Sequence, residues 1–381
     1  MSAETMSQAL ALATEHQPGA RAALGAAIEN PSHAYLFSGP PGSGKRAAAR
    51  AFVAELLAAE AQDPDDARRR AIADPSPHPD LTWLRPHGTQ YLVEDVRTRV
   101  ISAAAYRPFE AARRAFVIED AEAMAEESQN ALLKTLEEPA AYAHLILLSA
   151  EPAALLETVR SRCQTVRFNA LPLDAVEAAL AARVPEADAG ARRAASRLAG
   201  GDTSLAADLL VSPGSDLRAA AAALVEAAAV GDLGSAPWGA LIALSEEAGE
   251  EASRRVRDEL TLAAEAAGEV GPGAKRSARV TEEAAKRASR QARREALDLG
   301  LALVGAWLRD LVAIASGAEE LAHNSDRLDH LRAAAADIDP RRARRAGELV
   351  MDTRRRLRVN VGEELALEAL AYRLEALLTA A

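Results

Sequence analysis

Between residues 35 and 168 the chain alternates short, wholly apolar runs with longer stretches whose apolar residues recur at helical spacing. The runs AYLFSG, AFVIED and HLILLSA read as strands buried on both faces. VEDVRTRVISAAA and EESQNALLKTLEEP read as the helices between them, the second stopped by Pro139. Such alternation predicts a parallel sheet covered by helices, an α/β layer. Residues 63–80, DPDDARRRAIADPSPHPD, interrupt it as a polar, proline-punctuated insertion.

After Phe168 the period changes to helix throughout. LPLDAVEAALAARV opens a helix with Asp174 and Glu177 at capping-box spacing, and two short helices follow, broken at Gly200-Gly201. VSPGSD, residues 211–216, reads as a linker into an all-helical remainder. There Leu297, Leu301, Val304, Leu308, Leu311 and Val312 share one helix face stopped by Gly317, and Leu367, Leu370, Leu374, Leu377 and Leu378 share another. The expected division is 1–169, 170–210 and 211–381. GPGAKRSARVTEEAAKRASRQARRE, from Gly271, is the one low-complexity candidate.

Composition sharpens this picture in three places. Hydrophobic residues make up 49% of the 381 but aromatics only 3%, so alanine-rich helix should dominate outside the sheet. A formal net charge of −11 argues against binding nucleic acid by bulk attraction alone and leaves a local basic face open. The single cysteine, Cys163, excludes a disulfide framework and a Cys-rich zinc site. With no signal-peptide pattern and no run of roughly 18 apolar residues, a cytoplasmic, non-membrane protein is expected. His33, His78, His87 and His144 lack metal-ligand spacing, so no metal ligand set is expected.

The chemistry centres on Gly39, Pro40, Pro41, Gly42, Ser43, Gly44 and Lys45, between a predicted strand and a predicted helix. In that context the glycines let backbone N–H groups converge on phosphate oxygens, and Lys45 neutralises the terminal phosphates. ATP or ADP with Mg2+ is the ligand class implied. A hydrolase of this type places a hydroxyl after the lysine to help hold magnesium. Here Arg46 stands there, a cation without an acceptor atom. Glu119 and Asp120 end the strand AFVIED as an acidic pair, but in the reverse of the order that gives Asp to magnesium and Glu to the attacking water. Solvated acids capping the next turn are the alternative.

HAYLFSGPPGSGK, HPDLTWL, FVIEDAEAM, SQNALLKTLEEPA, LILLSAEP and TVRSRCQTVRF occur in this order. Together they resemble the delta-prime subunits of bacterial DNA polymerase III clamp loaders and, more loosely, the gamma/tau ATPase subunits. The resemblance covers residues 31–210 well and the remainder in general character. It implies an AAA+ module, a small helical lid and a helical collar that joins five subunits in a ring. Ser161-Arg162-Cys163 matches the motif whose arginine acts on the neighbouring subunit's ATP site, which makes Arg162 the catalytic candidate, in trans. Ser149 takes the sensor position. Ser204 and Leu205 stand in the lid motif where the ATPase subunits have an arginine, and the four-cysteine zinc module before HPD is replaced by a zinc-free insertion.

Taken together, these features lead us to expect a stator subunit with weak or no ATPase, working with gamma/tau and delta subunits and, indirectly, the sliding clamp and primer-template DNA. A catalytically active gamma/tau-like ATPase is the alternative. Asn130 and Lys134 are candidates to approach DNA phosphates. Two arginine-rich clusters, Lys275 to Arg294 and Arg341 to Arg358, read as collar packing or solvated faces.

Overall fold

The structure is a computed structural model and describes residues 7–86, 91, 93–266, 272–336, 338–357 and 362–379. His87 and Arg358 lie outside these. The chain divides into two compact units, residues 1–172 and 173–381.

The first unit runs α1 (Gln8–Ala13), α2 (Pro18–Glu29), β1 (Ala34–Ser38), α3 (Lys45–Ala58), α4 (Pro64–Ile72), β2 (Leu81–Leu84) and α5 (Val93–Val96), which a π turn extends through Arg97–Ser102. β3 (Arg114–Ile118), α6 (Glu126–Glu137), β4 (Ala143–Ser149), α7 (Glu157–Arg160) and β5 (Gln164–Arg167) follow. The strands form a parallel sheet in the order β2-β3-β4-β1-β5. Alternate residues face opposite layers, which is why the strands are continuous apolar runs. Tyr35, Phe37, Val117, Ile146 and Leu148 pack on Phe52 and Leu56 of α3 and on Leu24 of α2. Leu36, Phe116, Ile118, Leu145 and Leu147 pack on Val100, Leu132, Leu136 and Val159. The expected α/β layer is borne out.

The 63–80 insertion is more ordered than its polarity suggested. Asp63 caps α4 by accepting from the Asp66 N–H at 3.0 Å, Pro64 fills the first helical position, and Ala67 and Ala71 are buried four residues apart. Arg68 grips the buried Glu55 of α3 through Nε at 3.0 Å and Nη2 at 3.1 Å. The HPD aspartate, Asp80, is buried and accepts from the backbone N–H groups of Phe109, Glu110 and Ala111 at 2.6–3.0 Å. That motif therefore fixes the loop leading into β3.

His144 is also buried, with Nδ1 2.8 Å from the Ser32 carbonyl oxygen. Burial holds the His144 and His78 imidazoles below the ordinary histidine value of 6.5. The fold thus favours the neutral form of both, and unfolding in acid lets them charge, so their stabilisation is complete above 6.5 and is lost as pH falls below it. Thermal melts of the chain at pH 7.5 and 5.5 should show a lower midpoint at 5.5. His144→Gln should narrow that difference, and an unchanged gap would exclude His144 as its source.

The second unit is all helix among the described residues: α8 (Leu173–Arg183), α9 (Ala189–Ala199), α10 (Thr203–Asp208), α11 (Gly214–Val230), α12 (Gly239–Ala266), α13 (Pro272–Ala315), α14 (Leu328–Ala335), α15 (Pro340–Leu357) and α16 (Glu363–Leu378). The capping box at Asp174 does not form. α8 already begins at Leu173, Asp174 accepts from its neighbour Ala175, and Glu177 reaches Arg193 of α9 at 3.3 Å instead. The 211–216 linker is a tight turn. α11 starts at Gly214, where a side chain would collide with the Asp208 carbonyl of α10.

The low-complexity stretch is the start of α13, which runs antiparallel to α12: Arg257 pairs with Glu282 and Glu246 with Arg293. Gly249 lets the Ser289 carbonyl approach to 3.0 Å of where a Cβ would stand. Leu297, Leu301, Val304, Leu308 and Leu311 on α13, and Leu367, Leu370, Leu374 and Leu378 on α16, are buried as their spacing predicts, with Val312 and Leu377 half-buried.

Candidate functional site

The glycine loop spans residues 39–44 between the end of β1 and α3, which opens at Lys45. Its first residue is locked at the sheet edge. The Gly39 N–H donates to the Ser149 carbonyl at 3.1 Å, and a Cβ on Gly39 would lie 2.9 Å from that of Phe168 while pressing on its carbonyl. Gly42 and Gly44 hold φ of 67° and 86°, in the left-handed region that turns successive N–H groups toward one centre. Pro40 and Pro41 are exposed, Ser43 is buried with its Oγ unpaired, and Lys45 Nζ donates to the carbonyls of Gly39 at 3.0 Å and Pro40 at 3.1 Å.

Gln17, unmarked by any motif, ties the loop to the segment after β5. Its amide donates to the Ser43 and Asn169 carbonyls at 3.0 and 2.7 Å and accepts from the Asn169 N–H at 2.9 Å.

Where β3 ends, Glu119 is 3% exposed and fully engaged. Trp83 Nε1 donates to it at 2.9 Å, Arg85 Nε at 3.2 Å, and Arg46 forms an ion pair with its other oxygen. Arg85 is itself anchored by Asp74 at 2.6 Å, which Arg50 also holds at 2.7 Å. Thus the residue in the magnesium-hydroxyl position neutralises the acid expected to polarise water. Asp120 adopts a left-handed conformation, φ 46°, within electrostatic reach of Lys45 and Arg46, and burial, with the nearby Glu122 charge, raises its carboxyl above the usual range. The residues present do not fit a magnesium ion, and among the described residues there is no group of three His, Cys, Asp or Glu able to hold one.

Ser149, at the end of β4, is buried with an unpaired Oγ, so the sheet order brings the loop, Glu119, Asp120 and Ser149 to the same carboxyl edge. Arg162 lies elsewhere. It precedes β5, whose Gln164 is in register with Tyr35 near the start of β1, so it sits at the opposite edge of the sheet from the loop. It is also partly exposed, with Nη1 donating to the Thr158 carbonyl at 3.0 Å and Nη2 2.6 Å from Glu137 of α6. Cys163 packs into the core beside it, and burial pushes its thiol up to about 12, which removes it as a nucleophile.

Gln129, left without a role by the sequence, is buried in α6. It donates to the Met124 carbonyl and accepts from the Leu156 N–H at 2.7 Å, joining α6 to the segment that carries Arg162. Asn130 and Lys134 on the same helix are exposed.

In the second unit, Asp202 caps α10 through the N–H groups of Ser204 and Leu205 at 2.8 and 3.1 Å, and neither residue presents a cation. Several cations of the basic clusters are paired from within. Arg293 pairs with Glu246 and Glu363, Lys286 with Glu282, Arg354 with Asp298, and Arg355 and Arg356 with Asp352.

A parallel sheet with a glycine loop at its carboxyl edge defines the class, a phosphate-loop protein. Residues 22–172 match the family model described as DNA polymerase III, delta subunit. The chain is 34% identical over 177 residues to the delta' subunit of Pseudomonas aeruginosa, covering 45% of this chain and 53% of the relative. The delta' subunit of Bacillus subtilis is 32% identical over 148 residues, 38% of this chain and 45% of the relative. The gamma/tau subunit of Mycobacterium tuberculosis is 32% identical over 157 residues, 39% of this chain and 26% of the relative. Through this N-terminal region the chain is similar to the delta' subunits of DNA polymerase III. The matched part spans about half the length of the delta' relatives. Among the described residues no helix is long and apolar enough to cross a membrane.

Proposed function

We propose that this chain is a stator subunit of the replicative clamp loader, assembling with gamma/tau and delta subunits and serving, through them, the sliding clamp and primer-template DNA. It gives Arg162 to a neighbour's ATP site and has weak or no ATPase of its own. The observation that carries this reading is the Arg46–Glu119 ion pair. Hydrolysis needs a metal where Arg46 lies and a free carboxylate where Glu119 is held by two arginines and an indole. The glycine loop is kept as a passive phosphate-binding or structural turn, and any ATP or ADP is held without productive magnesium.

The position of Arg162 supports the other half of the proposal. At the far edge of the sheet it is out of reach of its own loop, and partial exposure leaves it open to a partner. A guanidinium is permanently charged and forks onto phosphate oxygens. Similarity to gamma/tau subunits favours a second reading, an active ATPase.

ATP turnover by the purified chain and its Lys45→Ala variant separates the two. The stator reading expects the same background from both. Turnover abolished by Lys45→Ala would make the chain a hydrolase with an unusual metal site.

A further inference from the structure

We propose that Glu137 is a positioning residue that competes in cis for the guanidinium of Arg162, holding it folded against its own subunit until a neighbour's phosphate displaces the carboxylate. This inference rests on the reading of Arg162 as an arginine acting in trans. Both terminal nitrogens of Arg162 are engaged, Nη2 by Glu137 at 2.6 Å and Nη1 by the Thr158 carbonyl at 3.0 Å. A fork onto phosphate oxygens uses such terminal nitrogens, so carboxylate and phosphate cannot be fully satisfied together.

The geometry is held from both ends of α6. Glu137 is the last residue of that helix, and the buried Gln129 in its first turns bonds to Leu156, at the start of the segment bearing Arg162. The spacing of the two backbone segments that carry the carboxylate and the guanidinium is thus set by packing. Glu137 and Arg162 both remain partly open to water, so the pair is weak enough to exchange partners. The next residue, Glu138, is also exposed and acidic, but Arg162 is bonded to Glu137.

The test uses the full chain reassembled with the gamma/tau-type ATPase subunits and delta subunit of the same genome. Glu137→Gln keeps the shape of the side chain and removes its charge. Exposed pairs of this kind exert small effects, so kcat at saturating ATP should rise about two- to fivefold. The ratio of variant to wild type should fall toward one as salt is raised, because screening weakens the same competition in the wild type. A merely structural role would not give that salt dependence. Glu137→Asp, too short to reach, should behave like Glu137→Gln, and adding Arg162→Ala should erase the gain.

An unchanged or lowered kcat in Glu137→Gln, with Arg162→Ala strongly impaired, would overturn the assignment of Glu137 alone. No effect of Arg162→Ala would remove the trans-acting arginine itself.

Discussion

Replacing Arg162 by alanine should lower the ATPase rate of the assembled clamp loader by ~10³-fold or more at the site this subunit adjoins, while leaving the isolated chain folded. The magnitude follows from other phosphate-transferring sites, where an arginine supplied by a partner contributes about 10³ to 10⁵ in turnover. The expectation that the fold survives follows from local contacts. The Arg162 side chain is 36% exposed, and its partners are Glu137, the Thr158 carbonyl of α7 and, at 3.5 Å, the Ser161 hydroxyl. Exposed pairs of this kind contribute roughly 0–1 kcal/mol. Single-turnover hydrolysis by the complex, with assembly checked by size, is the measurement. Arg162→Lys is a useful companion because a point charge without the fork should recover little of the rate. A complex that assembles and hydrolyses normally with Arg162→Ala would end the proposal of a trans-acting arginine.

The second large effect concerns the platform under the loop. Phe52→Ala should destabilise the N-terminal unit by about 3–5 kcal/mol, the usual range for emptying a buried aromatic site. Phe52 is fully buried on α3, with its ring 5.0 Å from that of Tyr35 and 6.0 Å from that of Phe37. Since domains of this size are stable by about 5–15 kcal/mol, much of the margin would go. Because the chain has two units and need not unfold in one step, hydrogen exchange resolved to β1 and α3 is the suitable readout. Protection lost there by less than about tenfold, on the order of 1.4 kcal/mol, would show that the three rings are not the support of the loop.

Much of this architecture was legible because the sheet is covered on both faces. A strand buried twice has to be apolar at every position, so AYLFS and HLILLS announce themselves. α4 was hidden for the converse reason. Two alanines bury against α3, and everything else on the helix is charged or solvated, so its apolar face is too thin to register as a period. At 211–216 the sequence could not tell how short the connection is, because proline, glycine and serine serve a tight corner and a loose linker alike.

The site divides similarly. The glycines and Lys45 are marked by a local motif, whereas Gln17 works through partners 26 and 152 residues away and carries no local signature. That Arg46 is out of place could be read from the chain. That it reaches Glu119 could not, since the pairing depends on β1 and β3 both ending at one sheet edge. Arg162 stood out from its neighbours only through the resemblance; the sheet register then set it apart from its own loop.

The Arg46–Glu119 pair also constrains how this sequence can change. A lone step from Arg46 to threonine would restore a hydroxyl but strip one cation from a carboxylate that is 3% exposed, leaving Arg85 and Trp83 to hold it. A lone change at Glu119 would remove the carboxylate that Arg46 pairs with, while Arg85 would keep Asp74. A single change at either position should therefore lower stability. The pair thus couples the two positions, so the effect of a change at either one depends on the residue at the other.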